Sequence, residues 1–453
     1  MNKNKYEIDM CNGSIMDKLI SFSLPLMLSG MLQLMFNAVD IIVVGRFAGS
    51  QALAAVGSTT ALINVFTYLF IGISMGTNVL AAQFFAAGKA RQMSETVHTS
   101  IAFATVSGIV MVFVGIFFSR LALELMETPA DVIDQSALYM QIYFLGMPFF
   151  MLYNYGAAIL RAVGDTKRPL IFLIISGVIN AVLNMILVII FDLSVVGVAV
   201  ATVISQMISC ILVLRCLYRS EGSYQLRLSK MMIKTCYLKQ IFRVGIPAGI
   251  QSMVINFSNV LLQSSVNSFG SIAMAGYTAA NNILGFLFVA VNSVTQTCMS
   301  FTGQNFGVRK YKRMDKVLTD CIMLSIVVSL VLGCGSYIFG KEILRIYTEN
   351  TEVIRCGMEI LSYTTVTYFL CGLMDLFPGA MRGMGYSAVP MILSIVGTVG
   401  VRIVWIFGIF PRYRSLSVLF ISYPASWLLT IIMQVICFYF VRKAVHGNGK
   451  NKM

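Results

Sequence analysis

The sequence predicts an all-α polytopic membrane protein, with about twelve transmembrane helices in two parallel six-helix repeats that form two lobes around a central cleft. Three observations predict it. The chain is 58% hydrophobic and only 11% charged over 453 residues, more apolar surface than a soluble chain of this length needs. Its apolar residues fall into runs close to or above the ~20 residues that cross a bilayer. A set of landmarks then recurs at one fixed offset. The runs are continuous, which excludes a β-barrel built from alternating strands.

The runs cover about 19–45, 53–86, 97–119, 136–160, 170–191, 195–218, 241–268, 273–307, 317–340, 357–381, 390–410 and 416–441. Several are long enough to tilt or to protrude from the bilayer. No cleavable signal peptide is expected, because residues 1–17 are polar and the first run is too long for a signal h-region. The net charge is +14, and its distribution reports topology. With the N-terminus inside, most Lys and Arg fall on inner segments. The outer segments hold only Arg46, Arg120, Lys341, Arg345, Arg355, Arg412 and Arg414. That bias follows the positive-inside rule and puts both termini in the cytoplasm. It also removes the need for nucleic acid as a partner. The ten Cys form no C-x-x-C and lie mostly inside apolar runs. They read as small core residues, and two distant His offer no metal cluster.

In chain order, residues 1–18 form a cytoplasmic segment and 19–219 an N-terminal lobe. The first helix carries Pro25 near its start and Asp40 about 7 Å short of its Gly45-Arg46 end, at 1.5 Å per residue. The second is polar for a span, with Thr59, Asn64, Thr67, Asn78 and Gln83, residues that face other helices or water. The third is apolar and expected to face lipid. The fourth contains Gly146-Met147-Pro148, a kink, before Tyr153-Asn154 and the Arg161–Pro169 turn. The fifth places Asn180 and Asn184 at i and i+4. The sixth runs into a basic linker, 220–239, before a C-terminal lobe at 240–441 and a cytoplasmic tail at 442–453.

The second lobe repeats the first. Val244-Gly245-Ile246-Pro247 echoes Phe22-Ser23-Leu24-Pro25, and Asn259 echoes Asn37. Gln304 and Lys310 echo Gln83 and Lys89, and the Arg382–Pro390 turn echoes Arg161–Pro169. The offset is 221 from Gly49 onward and 222 for Pro25 and Asn37. Six helices is an even number, so the repeats share one orientation, as in alternating-access transporters. The halves differ at polar positions. Asp40 has Leu262 as counterpart, Asn154 has Asp375, and Asn180 has Val401. The first half therefore reads as the ion-coupling half.

An acid in hydrocarbon costs at least about 2.5–3.5 kcal/mol, so it is a functional candidate by default. Gln33, Asn37 and Asp40 share one helical face. Asp40 is the candidate coupling residue, with Asn37, Asn180 and Asn184 as oxygen partners. Carboxylate and amide oxygens suit Na⁺ at Asp40, whereas a desolvated carboxylate would carry a proton instead. The substrate-cavity candidates are Gln33, Asn64, Tyr153, Asn154, Asn259, Asn281 and Asp375. Asp375 lies about 10 Å from the inner end of its helix, a depth unlike that of Asp40. It would draw in a cationic substrate or pair with a base. Arg402 is near mid-span with no assigned partner. Arg161 and Arg382 read equally as gating or headgroup contacts and as ordinary inner-surface charge.

The stretch Asn37-Ala38-Val39-Asp40-Ile41-Ile42-Val43-Val44-Gly45-Arg46 resembles the multidrug and toxic compound extrusion (MATE) family, as do Gly303-Gln304-Asn305-Phe306-Gly307 and the doubled Arg161/Arg382 turns. The resemblance covers nearly the whole chain and is most like the DinF-like bacterial branch. It implies a Na⁺- or H⁺-coupled antiporter that expels organic cations by rocking two six-helix lobes. It carries the family's first-helix acid onto Asp40 and its fifth-helix polar pair onto Asn180 and Asn184. Some members carry an acid in the seventh helix. Met253–Ser268 holds none, which favours the first-lobe site.

The expected function is therefore export of cationic amphipathic molecules in exchange for Na⁺ or H⁺, with no other cofactor. The protein is expected as a monomer in the bacterial inner membrane. The alternative is a flippase of lipid-linked oligosaccharide, which should line its cavity with several basic residues. Enzyme activity is not expected, since no nucleotide loop, H-E-x-x-H or usefully spaced acid pair occurs.

Overall fold

A computed structural model describes residues 6–450, which are mainly helical with no strand among the described residues. Residues 1–5 and 451–453 of the two expected cytoplasmic ends, with Lys3, Lys5 and Lys452, lie outside the described residues. The helices are α1 (Met16–Val43), α2 (Gly49–Ala86), α3 (Ala90–Leu125), α4 (Ile133–Leu145), α5 (Met147–Ala162), α6 (Lys167–Asn184), α7 (Ser194–Arg219), α8 (Thr235–Asn267), α9 (Ser271–Gly307), α10 (Tyr311–Ile338), α11 (Gly340–Arg345), α12 (Thr351–Thr364), α13 (Tyr368–Gly383), α14 (Ala388–Ser394), α15 (Val401–Val404) and α16 (Leu416–Lys450). Ten described helices are long and apolar enough to cross a membrane, or up to 12 if each bent pair is one span. Those pairs are α4 with α5, bent by 44°, and α12 with α13, bent by 48°. The first bend falls at Gly146, where Pro148 follows at the start of α5 and no N–H is lost to the helix ladder.

The chain divides into two compact units. One holds residues 6–9 and Leu28–Gly245, the other Met10–Met27 and 246–450. The division therefore falls within α1, just after Pro25, and within α8, just before Pro247.

In the first unit α3 packs on α4 and α5, and α6 on α7. Tyr155, Phe144 and Met151 are fully enclosed, and Phe66 meets Phe144 edge-on at 5.6 Å. The outer half of α3 leaves Val106, Ile109, Val110, Phe113 and Phe117 exposed, a face suited to lipid. The basic stretch 220–239 belongs to this unit and is held down on it. Tyr224 and Leu226 are buried. Arg227 N–H donates to His98 Nε2 at 3.0 Å, and Lys234 pairs with Glu95 at 2.6 Å. Helix α8 starts inside the expected linker, at Thr235, because these anchors fix its first turn.

In the second unit α9 packs on α10, α12 and α13. An aromatic group fills its core: Tyr368 meets Trp427 at 5.6 Å, and Tyr423 meets Trp427 at 5.6 Å. The sequence repeat is written into the backbone of both units. Gly164 and Gly385, one offset of 221 apart, take φ of 98° and 89° in the two Arg-turns. Only a residue without a Cβ adopts such angles cheaply.

Candidate functional site

Helix α1 is apolar along the stretch that ends at Asp40, and α6 opposes it with a glycine. A Cβ on Gly177 would overlap the Phe36 ring. The Phe36 ring of α1 fills the space that this glycine leaves on α6. One turn above Phe36 comes Asp40, and nearly two turns above Gly177 comes Asn184. The close approach therefore brings the carboxylate to the amide.

Asn184 Nδ2 donates a short hydrogen bond to Asp40 Oδ1. The same nitrogen lies 3.3 Å from Asn180 Oδ1, as the i, i+4 spacing on α6 requires. Asn180 is 5% exposed and Asn184 fully buried, while Asp40 is half-buried. Asn184 Oδ1 is buried and receives no hydrogen bond. The rings of Tyr139 and Tyr143 stand within electrostatic reach of the carboxylate. No Lys or Arg pairs with Asp40 among the described residues. Directly after Asn184 the helix widens into a π-helical turn, Met185–Ile190, a distortion that often accompanies function.

A half-buried carboxylate with amide neighbours and no fixed counter-charge has room for one positive charge. A proton satisfies it, and so does a small hard cation with oxygen ligands from Asp40, Asn180 and Asn184.

The other sequence candidates divide sharply. Gln33 and Asn37 share a face with Asp40 but are exposed, and Asn37 bonds neither Asp40 nor the two asparagines. Asn64 is half-buried and Asn281 exposed. The Tyr153 hydroxyl donates to Pro169 O at 3.2 Å, and Asn154 Nδ2 to Phe150 O at 2.8 Å, so both serve the backbone. Asp375 is half-buried on α13, with Arg382 as the cation acting on it. Arg382 itself donates to Gln251 Oε1 at 2.6 Å.

Sequence reasoning missed one assembly. Arg402, 3% exposed, donates from Nη1 to Asn259 Oδ1 at 2.9 Å. Its guanidinium lies 4.3 Å over the Tyr423 ring. An Arg within an apolar run was the available signal. Its partners stand on α8 and α16, 143 positions before it in one case, and no local period reports them.

The chain is similar to known proteins along most of its length. The MatE family model matches residues 25–186 and 247–407, the two repeats. The probable multidrug resistance protein YoeA of Bacillus subtilis (strain 168) is 31% identical over 435 residues, covering 93% of this chain and 93% of its own. The multidrug export protein MepA of Staphylococcus saprophyticus is 23% identical over 388 residues, covering 84% of this chain and 85% of its own. Among solved structures, MATE in complex with MaL6 superposes with a TM-score of 0.91 at 20% identity, covering 99% of this chain and 100% of that one. The outward-facing conformation of a multidrug resistance MATE family transporter of the MOP superfamily also gives 0.91 at 20% identity, over 98% and 100%. At that identity the structures report the fold.

Proposed function

The chain belongs to the MatE family, and from that premise we propose that it is a secondary active antiporter which exports cationic amphipathic molecules in exchange for Na⁺ or H⁺. Members of this family are membrane transporters and not enzymes. The observation that carries the coupling is the Asp40–Asn184–Asn180 cluster, a carboxylate held by amides without a fixed cation. Entry of one proton or Na⁺ at Asp40 neutralises it and changes which hydrogen bonds Asn184 favours. The buried Asn184 Oδ1, which receives no hydrogen bond, is a ready ligand for a cation. A bound ion drives export only through unequal affinity for two states of the carrier, as alternating access requires. Downhill ion entry then accompanies uphill substrate release.

The reading places the chain in a bacterial inner membrane as a monomer. The inner-segment excess of Lys and Arg supports cytoplasmic termini. The multidrug names of YoeA and MepA support small-molecule cargo. Nothing in those relatives supports a lipid-linked oligosaccharide flippase.

The test is efflux of rhodamine 123, a fluorescent organic cation, from proteoliposomes holding the wild-type protein. An inward Na⁺ gradient and an inward proton gradient are imposed in turn. Export driven by one gradient and not by the other identifies the ion. Equal, passive leakage under both defeats the antiporter reading.

A further inference from the structure

The second unit contains a buried cation that no carboxylate neutralises among the described residues. Arg402 is 3% exposed. Its Nη1 donates to Asn259 Oδ1 at 2.9 Å and lies 3.4 Å from Ser258 Oγ. Its flat face rests on Tyr423 at 4.3 Å, which favours a positive charge but does not neutralise it. No ion pair reaches it among the described residues. Arg402 and Asp375 both lie within electrostatic reach of Cys371, yet the cation that acts on Asp375 is Arg382.

The unused edge of the guanidinium has a definite shape. Nε is buried without an acceptor, and the hydrogen bonds of Arg402 all leave from Nη1. Nε and Nη2 therefore present two parallel N–H groups with no hydrogen-bond partner among the described residues. That edge matches the two oxygens of a carboxylate. A buried unpaired charge is costly, and it is retained where something pairs with it.

The repeat sharpens the point. Asn259 is the counterpart of Asn37, and Leu262 that of Asp40. Arg402 is on the segment equivalent to α6, where the first unit has Ala181. The first unit holds an acid between its two equivalent helices, and the second holds a base between its own.

We propose that the Nε–Nη2 edge of Arg402, framed by Asn259, Ser258 and Tyr423, binds a carboxylate. The site would accept the carboxylate of a zwitterionic amphipathic substrate or a small free carboxylate. The substrate assignment rests on the transporter reading, and the anion site itself does not.

The experiment is equilibrium binding to the purified full chain in detergent. Rhodamine 110 carries a free carboxyl group, and rhodamine 123 is its methyl ester on the same ring system. Fluorescence polarisation gives the affinity of each for wild type, Arg402→Lys and Arg402→Met. Loss of a bidentate charge-assisted pair should weaken rhodamine 110 by about tenfold or more in Arg402→Met. Rhodamine 123 should stay within about twofold, and Arg402→Lys should fall between. Sodium acetate, with sodium chloride as the ionic-strength control, should displace rhodamine 110 from wild type. It should also perturb the intrinsic fluorescence of the chain. Both of its tryptophans flank the site, Trp427 against Tyr423 and Trp405 one turn beyond Arg402.

If both dyes weaken together, or neither changes, and acetate leaves the tryptophans unaltered, Arg402 is structural or hydrated and the proposal fails. If acetate binds wild type but the two dyes remain equivalent in every variant, the anion site stands and the substrate carboxylate is ruled out. Acetate on the wild-type protein keeps the test decisive even where Arg402→Met does not fold. Absence of gradient-driven rhodamine 123 efflux would count against the transporter reading alone.

Discussion

Asn184 donates its side-chain amide hydrogen to the Asp40 carboxylate, joining two helices across 144 positions of sequence. Asparagine at position 40 keeps an acceptor oxygen for that bond and has nearly the same shape. It removes only the charge. Asp40→Asn should therefore fold, insert and bind an organic cation, yet lose all response of efflux to the driving ion gradient. Efflux from proteoliposomes under each gradient checks this. Unchanged gradient dependence in Asp40→Asn would make the acid structural and move attention to Asp375.

On the coupling proposed for Asp40, Asn184 should matter more than Asn180. It touches Asp40 directly, whereas Asn180 meets only Asn184. Removing a group that orients an ion ligand typically weakens ion affinity by about 10–100-fold. Asn184→Leu should raise the ion concentration for half-maximal efflux by about tenfold or more, and Asn180→Ala by clearly less. A titration of initial efflux rate against the coupling ion gives both values. Equal shifts, or a larger one for Asn180→Ala, would contradict the bonding pattern.

Much of this was legible in the chain. A lone acid in an apolar run marks itself, because hydrocarbon charges heavily for it. The i, i+4 pair Asn180 and Asn184 marks one face of α6. Gly146-Met147-Pro148 marks the 44° bend between α4 and α5, whereas Thr367-Tyr368-Phe369, one offset on, carries no such mark for the 48° bend between α12 and α13. Helical periodicity put Gln33, Asn37 and Asp40 on one face but gave no means to choose among them. The choice is made by α6, whose reach ends at Asp40 and leaves Asn37 exposed. The basic stretch 220–239 reads from its charge as a linker between the lobes. Tyr224, Leu226 and the His98–Arg227 bond hold it on the first unit. Those contacts join distant parts of the chain, and a local reading has no access to them.

The pairing of α1 with α6 depends on shape as well as charge. A Cβ at Gly177 would occupy the space of the Phe36 ring. Gly177→Val should cost about 1–3 kcal/mol as overpacking and shift α1 on α6. Ion-dependent efflux should fall with it, since the shift separates Asp40 from Asn184. Phe36→Ala in the same chain should restore part of both. Thermal unfolding of the four proteins forms a double-mutant cycle. Additivity within about 0.5 kcal/mol would mean that the two side chains do not compete for one space.

The two Arg-turn glycines offer a matched pair for separating backbone strain from crowding. Gly164 and Gly385 adopt φ of 98° and 89°, so alanine pays a similar conformational cost at each, about 1–2 kcal/mol. Their surroundings differ. A Cβ on Gly385 meets nothing within 4 Å, while one on Gly164 would lie 2.5 Å from Ile8 O and 2.7 Å from Ile8 N. Ile8 also donates its N–H to Gly164 O at 3.3 Å, so the segment has little freedom to yield without losing that bond. Gly385→Ala should lower stability by about 1 kcal/mol, after the smaller unfolded-state entropy of alanine is counted. Gly164→Ala should lower it by a further ~1–3 kcal/mol, the cost of displacing a packed backbone. Thermal unfolding of both variants in one detergent measures the difference. Equal losses would show that Ile8 moves aside freely and that φ alone keeps glycine in these turns.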